Sequence, residues 1–265
     1  MRRTDAWLEA ALRRDRLIVL VALALVILLA WGWLLLGAGM EMSALEMTRM
    51  AGMDGWLMQP ALWSPAYALV MLGMWCTMML AMMLPSAAPT LLLFARVNRK
   101  ERGGAPLVPT AVFALGYLLV WAGFSLVAVA LQWGLERARL LSPMLETSDR
   151  WIGAAILVAA GLWQLTPLKA RCLRQCRSPL SFLASRWRDG RGGALRMGLE
   201  HGLWCFGCCW FLMALLFFGG VMNLFWIAGL ALYVLMEKTL PYGHWLGRAA
   251  GVALLAAGVA VAFRG

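Results

Sequence analysis

The sequence predicts an all-α fold: a polytopic transmembrane bundle of about seven helices with a cytoplasmic N-terminus. Three observations carry the prediction. Of 265 residues, 63% are hydrophobic and 14% charged, far from the composition of a soluble globular domain. Apolar runs of bilayer-crossing length recur along the chain. The basic residues between those runs fall mostly on one side.

Leu17–Leu36 is the first run. Its Arg-rich flank and the following LGAG invite a signal-peptide reading, but about 20 apolar residues exceed an ordinary signal core, so an anchor is expected. Ala66–Leu84, Leu107–Gln132 and Trp151–Leu168 come next, then Leu203–Gly220, Asn223–Leu240 and Trp245–Phe263. Gly219-Gly220 leaves a tight turn between the fifth and sixth. Pro85, Pro89, Pro106, Pro109, Pro167 and Pro179 are expected at helix ends or in loops, punctuating the helices without interrupting them. The whole chain reads as one integral membrane domain. It has a basic N-terminus (1–16), an extracytoplasmic Met-rich loop (37–65) and a basic cytoplasmic loop holding a Cys pair (169–200).

A net charge of +11 raises the question of a nucleic-acid partner, and its distribution answers it. With the N-terminus inside, 19 of 24 Lys and Arg lie on the cytoplasmic side, eight of them between Lys169 and Arg196. Topology therefore accounts for the charge, and no nucleic-acid partner is expected. The bilayer expected is a bacterial inner membrane. Trp residues near the helix ends, such as Trp33, Trp63, Trp133, Trp151 and Trp245, suit an interfacial belt.

Five of the six cysteines lie close together in this topology. Cys172 and Cys176 form C-x3-C beyond the fourth run. Cys205, Cys208 and Cys209 form C-x2-C-C at the expected start of the fifth helix, one turn after His201. At about 100° per residue, His201, Cys205 and Cys208 share a sector of about 60°, with Cys209 beside them. A reducing cytoplasm keeps such thiols free. Nearby Arg171, Arg174, Arg177 and Arg196, and a helix N-terminus at Cys205, would favour the thiolate, the form that binds metal.

Methionine is concentrated as well: 12 of 18 lie between Met40 and Met83, where an even spread puts about three. Met71, Met74, Met78 and Met82 form one helical stripe; Cys76, Met79 and Met83 form a second. Outside, Met47, Met50 and Met53 follow M-x2-M-x2-M, in a segment expected to be exposed. Helical methionine stripes are commonly core packing, and a Met-rich outer segment also suits an amphipathic surface helix. Thioethers outside and across, with thiolates inside, nevertheless make a graded series of soft ligands. Cu(I) is the ion expected; zinc or an iron–sulfur cluster accepts similar ligands.

Glu237 and Lys238 end the sixth run. Adjacent helical residues do not face one another, so each needs its own partner. Snorkelling to the interface is the simpler expectation; the alternatives for Glu237 are pairing with the basic loop or standing as a hard group near the cysteines. Gln132, Gln164 and Asn223 read as interhelical or boundary hydrogen-bonding residues. Nothing resembles a hydrolase or a nucleotide-binding loop, so metal handling is expected in place of catalysis.

The stretches MWCTMMLAMMLPSAAP (74–89), TPLKARCLRQCRSPL (166–180), RMGLEHGLWCFGCCW (196–210) and GGVMNLFWI (219–227) resemble a bacterial family of metal-binding integral membrane proteins, the domain of unknown function 2182. The resemblance covers roughly residues 66–247 and implies a multi-pass inner-membrane protein with a metal site.

The expectation is a protein that binds and conveys Cu(I) from the Met-rich loop to an inner cluster of His201, Cys205, Cys208 and Cys209, with Cys172 and Cys176 next. Met74, Met78, Met82 and Cys76 serve as transit ligands. A copper chaperone or a copper-enzyme subunit is the expected partner, for copper-enzyme assembly. A membrane thiol-disulfide oxidoreductase and a scaffold subunit of a larger complex are the alternatives.

Overall fold

The structure is a computed structural model describing residues 2–40, 42–50, 62–102, 107–142 and 145–263. Its elements are helices: α1 (Arg2–Leu35), α2 (Ala44–Met50), α3 (Pro65–Arg102), α4 (Leu107–Arg137), α5 (Arg150–Leu165), α6 (Pro167–Arg177), α7 (Pro179–Arg186), α8 (Gly190–Ala214), α9 (Leu216–Gly219), α10 (Leu224–Thr239) and α11 (Gly243–Phe263). Five of them, α1, α3, α4, α8 (continued by α9) and α11, are long and apolar enough to cross a membrane, as in a multi-pass membrane protein. A sixth span arises if α5 and α6, bent by 66°, count as one. Helices α5 and α10, two of the seven expected spans, have only 16 residues each.

Two boundaries differ from expectation in ways that matter. Helix α3 continues through Pro85 and Pro89 to Arg102. The two prolines lie within a helix and do not end one; neighbouring helices in a bundle can satisfy the backbone groups that proline frees. Helix α8 begins at Gly190, so Cys205 lies fifteen residues inside it and no helix N-terminus acts on that thiol. The basic segment after Leu165 is also helical. Thr166 caps α6 by accepting from the Lys169 N–H at 3.2 Å, and Pro167 occupies the first turn, where its missing N–H costs nothing. The sharp bend follows from this stop-and-restart.

Small residues set the tightest seam. A Cβ on Gly198 would run into the Phe113 carbonyl, and one on Gly116 into the Leu195 carbonyl. Helices α4 and α8 therefore touch backbone to backbone, the arrangement small-xxx-small patterns such as Gly198 and Gly202 permit. One end of the bundle is tied by Thr147 N–H to Phe217 O (2.8 Å) and Val221 N–H to Leu145 O (3.2 Å). Ser43 and Glu46 cap α2 reciprocally, and Ser43 holds the exposed Glu46 carboxyl below its ordinary range. Thr48 of α2 accepts from the Leu224 N–H at 2.8 Å, which docks the Met-rich segment on the start of α10. At the other end Asp15 pairs with Arg99 at 3.1 Å, and Arg177 donates to Leu240 O and Pro241 O.

Candidate metal centre

The thiols meet where α3, α4, α6, α8 and α10 converge. In α6, Cys172 and Cys176 are one turn apart and share a face. In α8, His201, Cys205, Cys208 and Cys209 all turn inward, each at most 2% exposed. Cys176 Sγ lies 3.9 Å from Cys208 Sγ. Cys208 and Cys209 Sγ lie 3.1 and 2.9 Å from the Cys205 carbonyl and donate to it, which gathers the α8 thiols around Cys205. A Cβ at Gly207 would strike Cys172 Sγ at 2.7 Å, so this glycine lets α6 lie close against α8.

Helix α3 brings the thioethers. Met71, Met74, Met78, Met79, Met82 and Met83 are all fully buried. Met83 completes the connection: Cys209 Sγ lies 3.8 Å from its Sδ. Cys76 is only half-buried. The far end of the stripe is held by a polar chain in which Gln132 Nε2 donates to Met71 Sδ at 3.4 Å and to Glu136 Oε1 at 2.8 Å. Trp75 Nε1 donates to Gln132 Oε1, and Trp63 Nε1 to Glu136 Oε2. Met40 and Met47 are half-buried against the core, so this part of the outer segment is not simply exposed. For Met50 only the backbone is described, and Met53 lies outside the described residues.

Lys238, Tyr117 and Ser86 are partners of this site that sequence reasoning missed. Lys238 Nζ lies 2.9 Å from Cys205 Sγ and 3.0 Å from Ser86 Oγ. Tyr117 Oη donates to Met83 O at 3.1 Å and lies 3.1 Å from Cys205 Sγ. Snorkelling does not describe Lys238 or Glu237, which are 7% and 0% exposed. The cation at the thiols is thus Lys238; Arg171, Arg174 and Arg196 are exposed. Glu237 faces the other way and pairs with the buried Lys169 of α6, as pairing with the basic segment would have it. Gln164 donates to Tyr233 Oη at 2.9 Å, and Asn223 caps α10.

His201 sits among rings, with centroids at 5.2 Å to Phe182, 5.8 Å to Tyr117 and 6.1 Å to Phe113. Its Nδ1 is buried without a hydrogen-bond partner. Among the described residues no three His, Cys, Asp or Glu side chains already form a metal-holding group. The sulfurs are instead engaged with one another, with a lysine and with a tyrosine. Buried sulfur donors of this kind suit a soft ion and offer little to a hard one.

Residues 72–261 match a family model described as PpoB2, a copper chaperone. The chain belongs to this family. Membership gives it a copper-handling role and a copper-related ancestry, described by that name and not by the domain-of-unknown-function label of the earlier resemblance. The matched segment begins within α3, one residue after Met71, and includes Met74, Met78, Met79, Met82 and Met83 and all six cysteines. No curated protein and no solved structure matches the chain.

Proposed function

We propose that this copper chaperone family member carries Cu(I) along the α3 methionines to the cluster of Cys205, Cys208, Cys209 and Cys176, with Cys172 and His201 at its edge. The contact between Met83 and Cys209 supports this best, because it joins the fully buried thioethers of α3 to the thiol cluster. Exchange between adjacent soft ligands lets an ion move without meeting water or a hard donor. Thiolates bind Cu(I) more strongly than thioethers, so the series favours delivery to the thiol end. With the N-terminus in the cytoplasm of a bacterial cell, as the Lys and Arg asymmetry indicates, movement is inward across the inner membrane. Met47, Met50 and Met53 then gather the ion outside, and Met74, Met78 and Met82 pass it on. Cys76, half-buried, is a side ligand of the same helix. A copper chaperone or copper-enzyme subunit takes the ion at the α6–α7 end.

The test is copper analysis of protein purified under reducing conditions. Wild type retains Cu(I) stoichiometrically, and Cys205→Ser/Cys208→Ser loses it; retention in the double variant would remove the site assignment. Zinc or iron retained in place of copper would change the cargo and leave the site. The nearness of Cys176 to Cys208 favours a second reading, a dithiol that exchanges electrons with a partner. Loss of two hydrogens from that pair on oxidation, in protein without bound metal, would identify it.

A further inference from the structure

On the opposite side of α10 from the thiols, a cavity of about 710 Å³ opens where α5 bends into α6 against α11. Lys169, Arg174, Arg177, His244 and Arg248 line it, with Glu237 at its base. Its base also holds two buried acceptors that have no hydrogen-bond partner, Gln164 Oε1 and Glu237 Oε2. Lys169 is neutralised by Glu237, whereas Arg174 and Arg248 stand exposed at the rim. The cavity therefore combines cations at its mouth with unpaired acceptors buried in its wall.

A second, apolar groove of about 670 Å³ runs away from it between α5, α8, α10 and α11. Gly229, Ala250, Ala253 and Ala257 keep it open, and Leu230 and Trp226 help wall it. Tyr233 joins the two. It lines the groove, and its hydroxyl takes a hydrogen bond from Gln164 and donates to Glu237 Oε1 at 3.3 Å. A basic cavity and an apolar groove on either side of Tyr233 together have the chemistry of an amphiphile site.

We propose that this site binds an anionic glycerophospholipid whose headgroup carries hydroxyl donors. Arg174 and Arg248 take the phosphate, as basic pockets between membrane helices do. A rotation of the Gln164 or Glu237 side chain turns its unpaired oxygen toward the headgroup hydroxyls, which then satisfy it. One acyl chain lies in the groove below Tyr233. A zwitterionic choline lipid supplies a phosphate but no hydroxyl donor. The site is separate from the copper cluster and stands without it.

The test is native mass spectrometry of the full chain exchanged from nanodiscs into detergent. The nanodiscs contain phosphatidylglycerol, phosphatidylcholine, or both. Wild type should keep one phosphatidylglycerol, and Arg174→Ala/Arg248→Ala should keep about ten-fold less or under. Gly229→Leu should lose the lipid too; a Cβ at Gly229 meets nothing within 4 Å, so the new side chain enters the groove without displacing backbone. Glycerol phosphate without acyl chains should not displace the lipid. An unchanged melting temperature in lipid-free detergent shows that both variants fold. Equal retention of phosphatidylcholine, or full retention of phosphatidylglycerol in both folded variants, would overturn the proposal. Displacement by glycerol phosphate at the lipid's own concentration would overturn the groove assignment.

Discussion

Two buried lysines lie on opposite sides of α10, Lys169 brought by α6 and Lys238 carried by α10 itself, and they are treated differently. Lys169 meets Glu237, so the charge on that side is closed within the protein. Lys238, one residue along from Glu237, points into the cluster, where a thiol and a hydroxyl lie against its ammonium. The first arrangement is a structural pair between α6 and α10. The second leaves a cation among groups that can be neutral, in a place where an ion is proposed to arrive. The same helix thus has a side built to hold and a side built to exchange.

The sharpest way to break this contrast is Glu237→Gln. It strands Lys169, 2% exposed, without its carboxylate, and should cost about 3–5 kcal/mol, read as a lowered midpoint in denaturant titration. Tyr117→Phe comes next. It removes the hydroxyl between Met83 O and Cys205 Sγ and should cost roughly 1 kcal/mol by the same titration. Lys238→Met should cost about 1 kcal/mol or less, because the thiol and Ser86 left behind need no counter-charge. If Lys238→Met destabilised as strongly as Glu237→Gln, the contrast would be lost. Smallest of all should be the loss from Lys169→Met/Glu237→Leu, which removes both charges together and should leave stability unchanged or raised.

A further variant sharpens the contrast on its functional side. Met83→Leu conserves volume and should leave the midpoint nearly unchanged. Copper transfer from the stripe to Cys209 should slow, read as the rate at which the cluster fills after Cu(I) is supplied. Unaltered filling would detach the stripe from the cluster.

Much of the helix content and the inward turn of the α8 thiols was legible in the sequence. His201, Cys205 and Cys208 share a helical sector whatever the rest of the chain does, because periodicity alone sets their direction. The Met stripe was legible for the same reason. What escaped was set by contacts between distant segments. Tyr117 reaches Cys205 from α4, and Lys238 reaches it from α10; no local spacing encodes either approach. The passage of α3 through Pro85 and Pro89 was missed because proline was weighed as a breaker, without the neighbours that accommodate it. The helical state of α6 was hidden by its basic composition, which resembles a loop until the Thr166 cap and Pro167 are read together. Glu237 and Lys238 were legible in part: separate partners followed from their adjacency, but their depth did not.

The five clustered thiols are each at most 8% exposed, and this bears on how quickly anything can reach them. An alkylating reagent or an oxidant dissolved in water has no direct approach and must wait for neighbouring helices to part. Reaction at these sulfurs therefore reports the opening frequency of the bundle, and a cargo once seated would leave on that clock.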